Sequence, residues 1–309
     1  MKIVFLGTGG TIPTEKRKHP CLALKREGEL FLFDCGEGSQ TQIFRARVGI
    51  GSLQAIFLSH LHGDHVLGLP GLLMTMSQTS RCQPLLIIGP AGVATWVRHV
   101  CEDLNFHPAF QIDVKEVTPG SVFVSNHYRV DAFPLEHTVC TLGYSFCETD
   151  RPGRFQVEAA MRLGVPKGPL WGQLQSGSPV TLEGGKEVHP SQVLGPNRPG
   201  RKVVYAVDSR PCQETVQAAR DADLLIHDGM FLSEDGDKAR DRGHSTATEA
   251  AQVARAAGSR RLALTHVSPR YRGEDQKFVD EATKVFPDTI LGRDLMEVPI
   301  PQTEGRAGQ

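Results

Sequence analysis

The sequence lacks any apolar stretch that approaches the length of a membrane-spanning helix, about 20 residues. Its first apolar run, in Met1-Lys2-Ile3-Val4-Phe5-Leu6-Gly7, is also too short for a secretory signal peptide. We therefore expect no membrane association and a cytoplasmic location.

Cysteines show no sign of pairing. The 309 residues include seven of them, an odd number, and no C-x-x-C pair occurs. Most lie in apolar runs, which fits reduced and buried thiols better than a disulfide framework. With 39% hydrophobic residues, the chain has enough apolar material for one large domain or two small ones.

The chain also lacks an overall excess of charge, because its formal net charge is −1. A nucleic-acid binder with this composition would need a local basic patch. One segment, residues 150–202, has such an excess, with eight Arg and Lys against four Asp and Glu, and it is rich in Pro and Gly. We interpret it as an excursion from the main domain, with a disordered linker as the alternative. A short helix over 157–163 and a strand over 179–182 are predicted, so part of it should be ordered.

The densest group of potential metal-ligand residues is Ser59-His60-Leu61-His62-Gly63-Asp64-His65, which has the pattern H-x-H-x-D-H. An apolar run over 55–58 precedes it and predicts a buried strand. In extended backbone His60 and His62 point to the same side, and Gly63 permits a sharp turn that brings Asp64 and His65 to the same volume. Two imidazoles can hold one metal ion, and a carboxylate with a third imidazole can begin a second site. A plain polar loop is the alternative, but histidines of a folded core occur singly.

Three further candidate ligands stand where predicted strands end. His137, Asp208 and His266 each follow an apolar run. Aligned strands deliver their ends to one edge of a sheet, so residues far apart in sequence can converge there.

The remaining pattern alternates strands and helices in both halves, which favours an α/β fold. Several antiparallel strands are predicted over 111–146, and a helix capped by Ser245 is predicted to run to Ala257. The other predicted strands are 2–6, 21–24, 30–33, 85–88, 203–207, 223–226 and 262–264, with short ones near 290 and 296. The other predicted helices run from about 67 to 76, 91 to 105 and 276 to 286, and Asp34-Cys35-Gly36-Glu37-Gly38 is predicted to open one that reaches about Arg47.

These motifs resemble the metallo-β-lactamase superfamily and, within it, the ribonuclease Z family. The resemblance covers the central motif through Gly68-Leu69-Pro70-Gly71-Leu72-Leu73, the contexts of His137, Asp208 and His266, and Gly164-Val165-Pro166-Lys167-Gly168-Pro169-Leu170. It implies an αββα sandwich of two mixed β-sheets flanked by helices. It further implies one metallo-β-lactamase-like domain over 1–309 with an extruded tRNA-binding arm, 150–202, inserted within it.

The resemblance also implies a binuclear metal centre. It assigns His60, His62 and His137 to one ion and Asp64, His65 and His266 to the other, with Asp208 bridging both. Two such ions lie about 3.5–4 Å apart in comparable hydrolytic sites. A ligand set of nitrogen and oxygen without thiolate suits two Zn²⁺, with Mn²⁺ or Fe²⁺ as alternatives. Asp64 would also orient the attacking nucleophile.

Two further catalytic candidates follow from the resemblance. His244, in Gly243-His244-Ser245-Thr246, resembles the family's general acid, which gives a proton to the leaving ribose oxygen; a plain residue at a helix entry is the alternative. Asp228 stands where many relatives have the Glu of a His-Glu-Ala-Thr stretch. Its shorter side chain leaves open whether it orients His244.

The implied substrate is precursor tRNA. Cleavage would remove the 3′ trailer and leave a 3′-hydroxyl on the tRNA and a 5′-phosphate on the trailer. Lys167, Gly168 and Pro169 match the tip of the tRNA-clamping arm, and Arg17 lies in a loop that departs from the Pro-x-Lys-x-Arg-Asn pattern of many relatives. We expect that loop to touch the acceptor end, and we expect a homodimer, as in the family.

Two other functions compete with this one. A small-molecule metallohydrolase of the same superfamily would need no basic arm. A metal-containing RNA-binding protein without turnover would need neither the complete ligand set nor His244.

Overall fold

A computed structural model describes residues 1–302 of the chain. Within that range no helix is both long and apolar enough to cross a membrane. The chain divides into two compact units. The large unit comprises Met1–Ser125, Arg129–Cys147 and Lys202–Ile300, and the small unit comprises Asn126–Tyr128, Glu148–Arg201 and, among the described residues, 301–302.

The elements follow one another in the alternation that the sequence predicts. Those before the excursion are β1 (Lys2–Gly7), β2 (Cys21–Arg26), β3 (Glu29–Phe33), α1 (Ser39–Ala46), β4 (Leu53–Phe57), α2 (Gly63–Val66), α3 (Leu69–Gln78), β5 (Leu85–Gly89), α4 (Val93–Asp103), β6 (Ile112–Glu116), β7 (Gly120–Val124), β8 (Tyr128–Leu135) and β9 (Thr141–Glu148). Those in the small unit are α5 (Val157–Arg162), α6 (Pro169–Gln175), β10 (Val180–Thr181) and β11 (Glu187–Val188). Those after it are β12 (Lys202–Ala206), α7 (Gln213–Ala218), β13 (Leu224–Asp228), α8 (Gly236–Asp241), α9 (Ala247–Ala257), β14 (Leu262–Thr265), α10 (Asp275–Thr283), β15 (Thr289–Leu291) and β16 (Glu297–Pro299).

The large unit contains two seven-stranded sheets, and both are mixed. The first has the order β16-β1-β2-β3-β4-β5-β6, and β3 to β6 run parallel. The second has the order β15-β14-β13-β12-β9-β8-β7, and β12 to β15 run parallel. In such sheets the carboxyl ends of the parallel strands are where sites form.

Side-chain alternation along the strands explains the layered core. In β3, Leu30 and Leu32 face α1, α3 and α4, whereas Phe31 and Phe33 face the opposite sheet. An aromatic layer therefore fills the space between the sheets, with rings contributed by Phe31, Phe33, Phe57, Phe123, Tyr144, Phe146 and Tyr205. A second apolar cluster joins the outer face of the other sheet to α9 and α10. The predicted αββα sandwich is confirmed.

Two local predictions were wrong. Strand β6 pairs in parallel with β5 in the first sheet, whereas an antiparallel strand was predicted there. Helix α9 is capped by Thr246 rather than Ser245, because the Thr246 hydroxyl accepts the amide of Glu249, whose carboxylate accepts the Thr246 amide in return.

The small unit has a core of its own. Helices α5 and α6 and the two short strands enclose seven buried apolar residues, Ala159, Ala160, Val165, Leu174, Val180, Val188 and Val193. The rings of Phe155 and Trp171 lie against one another, with their centroids 5.2 Å apart. At its base, the backbone amides of Arg151 and Arg198 each donate to the other's carbonyl at 2.8 Å. The segment is therefore ordered rather than a linker.

Candidate metal centre

The central motif occupies the turn between β4 and α3. Strand β4 ends at Phe57, and the chain turns into the single helical turn of α2, where the amide of His65 donates to the carbonyl of His62 at 3.0 Å. His60 and His65 are fully buried, while His62 and Asp64 are partly exposed. The rings of His60 and His62 lie with their centroids 4.5 Å apart, so the four side chains share one small volume, as the pattern predicted.

Asp208 lies between two groups of imidazoles. Its Oδ2 atom is 3.6 Å from Nε2 of His60 and 3.8 Å from Nε2 of His137. Its Oδ1 atom is 3.2 Å from Nε2 of His65 and 3.1 Å from Nε2 of His266. Each oxygen of one carboxylate therefore faces a different pair of histidines, which is the arrangement of a bridging ligand.

The ligand-type atoms fall into sets close enough to share an ion. His60, His62, His137 and Asp208 form one set and Asp64, His65 and His266 another, and within each set the candidate atoms lie within 4.8 Å of one another. A further set joins Asp208 and His266 to Asp228 and His244. The sequence-predicted ligands are thus brought together in the groupings that the resemblance implies.

Several of these buried atoms have no protein partner. Among the described residues, Nε2 of His60, His65 and His137 and Oδ1 of Asp208 make no hydrogen bond. A buried polar atom without a protein partner is costly, so the convergence of such atoms on one volume fits a site for cations. Neutral imidazole nitrogens and carboxylate oxygens at these positions fit a pair of divalent metal ions.

Hydrogen bonds behind the rings determine which nitrogen faces the centre. His65 donates from Nδ1 to Oδ2 of Asp34 at 2.7 Å, and His137 donates from Nδ1 to the carbonyl of Gly243 at 2.8 Å. Both rings therefore present Nε2 toward Asp208. Gly243 adopts φ +72°, and a Cβ there would lie 2.8 Å from Nδ1 of His137, so the close approach requires glycine.

Sequence reasoning missed Asp34, which was interpreted only as part of a helix entry. It follows β3 and is fully buried, and its carboxylate accepts the amide and the hydroxyl of Ser59 at 2.7 and 2.9 Å as well as His65 and Tyr205. The signal was available, because Asp34 ends an apolar strand just as Asp208 does.

Three residues at strand ends adopt left-handed backbone conformations. Asp34 and Asp208 each have φ of 58°, and His266 has φ of 62°. Such conformations are uncommon for residues other than glycine and cluster at functional sites. Each residue follows a parallel strand, so the strain occurs where the chain turns its side chain into the site.

Burial and neighbouring charges keep His60 neutral and Asp208 ionised. Burial lowers the pKa of His60 to about 2, with the neighbouring His65 adding to the effect, so this ring stays neutral and free to ligate. Burial also lowers the pKa of His137. Burial disfavours the charged form of Asp208, yet the surrounding histidines hold the pKa of its carboxyl well below the usual range.

His244 and Asp228 form a second buried pair beside the ligands. Nδ1 of His244 donates to Oδ2 of Asp228 at 2.7 Å, and the carboxylate also accepts the amides of Ser209 and Met230 at 3.1 and 2.9 Å. Burial opposes protonation of His244, but Asp228 outweighs it and raises the pKa of the imidazole to about 9. The shorter carboxylate therefore does reach His244.

The loop after β1 lies against the centre. The amide of Thr11 donates to Oδ2 of Asp64 at 2.9 Å. A cavity of about 800 Å³ borders this loop and the segments that follow His266. Arg17 lines it, but its guanidinium donates to the Thr8 hydroxyl and the Gly292 carbonyl at 2.7 Å and lies 3.0 Å from Asp275. Contact of Arg17 with RNA stays a prediction.

The residues predicted to form the tip of the inserted arm are not among the clustered ligand-type residues. Lys167, Gly168 and Pro169 are exposed, and Pro169 begins α6. Gly168 has φ of 150°, with no atom within 4 Å of the position of a Cβ. Their role in RNA binding also stays a prediction.

The fold and the ligand set define a metallohydrolase of the metallo-β-lactamase superfamily. A family model described as beta-lactamase superfamily domain matches residues 173–267, and one described as anti-Pycsar protein Apyc1 matches residues 1–149. Ribonuclease Z of Methanosarcina acetivorans is 48% identical over 97% of this chain and 98% of its own length, and ribonuclease Z of Treponema denticola is 42% identical over 97% and 98%. The crystal structure of the short form of human tRNase Z matches with a TM-score of 0.72 at 29% identity, over 97% of this chain and all of that one. The chain belongs to the ribonuclease Z family.

Proposed function

We propose that this protein is a binuclear-metal endoribonuclease that removes the 3′ trailer of precursor tRNA. The position of Asp208 between two sets of imidazoles, several of whose nitrogens have no other partner, carries this proposal. Membership of the ribonuclease Z family supports the substrate, and the His244–Asp228 pair supports turnover rather than binding alone.

The seven ligands divide as the geometry groups them. His60, His62 and His137 would hold one ion, while Asp64, His65 and His266 would hold the other, and Asp208 would bridge them. We propose Zn²⁺ for both, with Mn²⁺ or Fe²⁺ as alternatives, because the donors are imidazole and carboxylate without thiolate. When bound, the ions would lower the pKa of a water molecule for attack on phosphorus and would offset the charge of the scissile phosphate.

Asp64 has a second task in this scheme. Its Oδ2 atom is held by the Thr11 amide and lies 3.4 Å from Nε2 of His266. The carboxylate is partly exposed, so it can orient the attacking water and accept its proton.

His244 supplies the proton that the departing oxygen needs. Hydrolysis breaks the bond between phosphorus and the 3′-oxygen of the tRNA. That oxygen takes up a proton and becomes the 3′-hydroxyl of the tRNA, while the phosphate stays on the 5′ end of the trailer. Asp228 fixes the His244 ring through Nδ1, which leaves Nε2 to donate. Asp228 raises the pKa of His244 and so favours the protonated ring that a general acid requires.

We assign recognition of the tRNA body to the inserted arm. Residues 150–202 have a charge excess of +4, whereas the rest of the chain sums to −5. The exposed Lys167, Gly168 and Pro169 would meet backbone phosphates and sugars, which gives affinity with little reading of bases. Arg17 and its loop would lie near the acceptor end.

The resemblance further suggests a homodimer in the cytoplasm. Analytical sedimentation would check the dimer, and cell fractionation would check the location.

The deciding experiment is cleavage of a 3′-extended precursor tRNA by the purified protein, with and without chelator, followed by mapping of both new ends. One chelator-sensitive cut that leaves a 3′-hydroxyl on the tRNA is expected. Hydrolysis of small phosphodiesters without any cut in the RNA would overturn the substrate assignment and keep the metal centre.

A further inference from the structure

A tyrosine hydroxyl joins the two sheets directly behind the candidate metal centre. Tyr205 lies on β12 of the second sheet, and its hydroxyl donates to Oδ2 of Asp34, at the end of β3 in the first sheet, at 2.7 Å. Tyr205 is 3% exposed and Asp34 is fully buried. A hydrogen bond to a carboxylate that is shielded from water is stronger than one between neutral groups.

The bond ends on the carboxylate that orients a proposed ligand. The Oδ2 atom that accepts Tyr205 is the one that accepts Nδ1 of His65 at 2.7 Å and the Ser59 hydroxyl at 2.9 Å. Burial, together with the neighbouring Asp34, raises the pKa of Tyr205 well above its ordinary value, so the hydroxyl keeps its proton and remains a donor. Asp34 itself adopts a strained backbone conformation, so its side chain depends on these partners for its orientation.

The position of Tyr205 along its strand gives the bond a second effect. Asp208, the proposed bridging carboxylate, follows three residues after Tyr205, just beyond the end of β12, whereas His60, His62 and His65 follow β4 of the first sheet. The hydrogen bond between Tyr205 and Asp34 therefore holds the histidines that follow β4 at a fixed distance from Asp208.

We propose that Tyr205 is a positioning residue of the metal centre, which orients His65 through Asp34 and fixes the two sheets' ligands relative to one another. This inference rests on the metal centre of the proposed function. Tyr205, on the second sheet, thereby supports His65, which follows a strand of the first sheet. The half-site that contains His65 is then predicted to depend on a hydroxyl that contacts neither metal nor substrate.

Tyr144 provides a matched comparison within the same aromatic layer. It is also fully buried on the second sheet, and its hydroxyl also donates across to the first sheet at 2.7 Å, but to the backbone carbonyl of Leu58. Replacement of either tyrosine by phenylalanine removes one buried hydroxyl and keeps the ring. Only Tyr205→Phe removes a partner of Asp34.

The test is the zinc affinity of the purified metal-free protein, measured by competition with a chromogenic chelator for the parent, Tyr205→Phe and Tyr144→Phe. Loss of a residue behind a ligand typically weakens metal binding 10–100-fold, so Tyr205→Phe should weaken one of the two zinc constants by about 10-fold. Tyr144→Phe should leave both zinc constants within about twofold of the parent. Both variants should lower the melting temperature by similar amounts, because each loses one buried hydrogen bond.

A second variant tests the route of the effect. Asp34→Asn should weaken the same zinc constant, and Tyr205→Phe added to Asp34→Asn should weaken it no further, because the two changes act through one group. Full additivity of the two changes would overturn the proposal, as would unchanged zinc constants in Tyr205→Phe or equal losses in both tyrosine variants. A parent protein that binds no zinc would overturn the proposed function together with this inference, whereas a parent that binds two ions with an unaffected Tyr205→Phe would overturn this inference alone.

Discussion

The large and small units of this protein differ in charge, in core size and in the side chains that they bring together. The large unit holds its candidate ligands where strands of its two seven-stranded sheets end, and four of the seven, His60, His65, Asp208 and His266, are buried. The small unit has a core of seven buried apolar residues, and among its described residues no cluster of metal-ligand side chains occurs. The inserted arm is positively charged, whereas the rest of the chain is negative.

This difference suggests a division of labour. Chemistry needs side chains held at fixed distances, which a large two-sheet core provides. Attraction to a polyanion needs only exposed positive charge on a stable support, for which a small core suffices. If the division holds, changes in the large unit should affect every substrate, and changes in the small unit should affect only RNA.

The largest effect is expected from Asp208→Ala. Removal of this carboxylate, which faces both sets of histidines, should abolish hydrolysis of both precursor tRNA and a small phosphodiester, because both half-sites lose a ligand. Metal content, measured by elemental analysis, should fall with activity. Asp113→Ala, at an exposed aspartate on β6, should change neither, and full activity with two bound ions in Asp208→Ala would disprove the bridging assignment.

His244→Ala should produce the next largest loss and separate proton transfer from metal binding. Turnover of precursor tRNA should fall by about 10³-fold, within the range of a lost general acid, while metal content and tRNA affinity hold. The exposed His99→Ala serves as the control. Loss of one metal ion from His244→Ala would instead make His244 a ligand, as its place in the further set of ligand atoms allows.

Truncation of the small unit tests the division directly. The backbone hydrogen bonds between Arg151 and Arg198 hold the two ends of this segment together. Residues 153–196 can therefore be replaced by a two-residue Asn-Gly turn. Binding of precursor tRNA at constant salt should weaken by about 10²-fold, because several phosphate contacts are lost. Hydrolysis of a small phosphodiester should stay within about twofold of the parent. Equal losses on both substrates would show that the small unit supports the fold of the large one.

The smallest effects are expected in the loop after β1, where Arg17 and Lys16 can be compared. Arg17→Ala should lower the free energy of unfolding in urea by about 1–3 kcal/mol, because its guanidinium holds Thr8, Gly292 and Asp275. The exposed Lys16→Ala should leave stability within about 0.5 kcal/mol and reduce the salt dependence of tRNA binding by about one counterion. The opposite pattern would support the prediction that Arg17 contacts RNA.

The sequence predicted most of the fold because its strands are short, apolar and separated by clear turns. It could not predict the direction of β6, whose partner β5 lies across a helix, since strand pattern carries no information on pairing direction. It also could not choose between Ser245 and Thr246 as the helix cap. The two hydroxyls are adjacent, and Ser245 is used instead to donate to the carbonyl of Ser209 at 2.6 Å.

The candidate site was predictable to different degrees for a related reason. The four residues of the central motif are neighbours in the chain, so their convergence needs only a strand and a turn. His137, Asp208 and His266 were found from their places at strand ends together with the resemblance. Asp34 was missed because its partners, Ser59, His65 and Tyr205, are 25 to 171 residues away in sequence, and only the folded structure brings them together.

The unpartnered nitrogens of His60, His65 and His137 link the protein's folding equilibrium to its metal supply. Any ion that binds the native state alone stabilises it by mass action, by about 2.7 kcal/mol when free metal exceeds the dissociation constant a hundredfold. Marginal stability in folded domains is about 5–15 kcal/mol, so this is a large share of the total. Metal-free protein would therefore unfold more readily than the metal-bound form, so depletion of metal would raise its unfolded fraction as well as remove its activity.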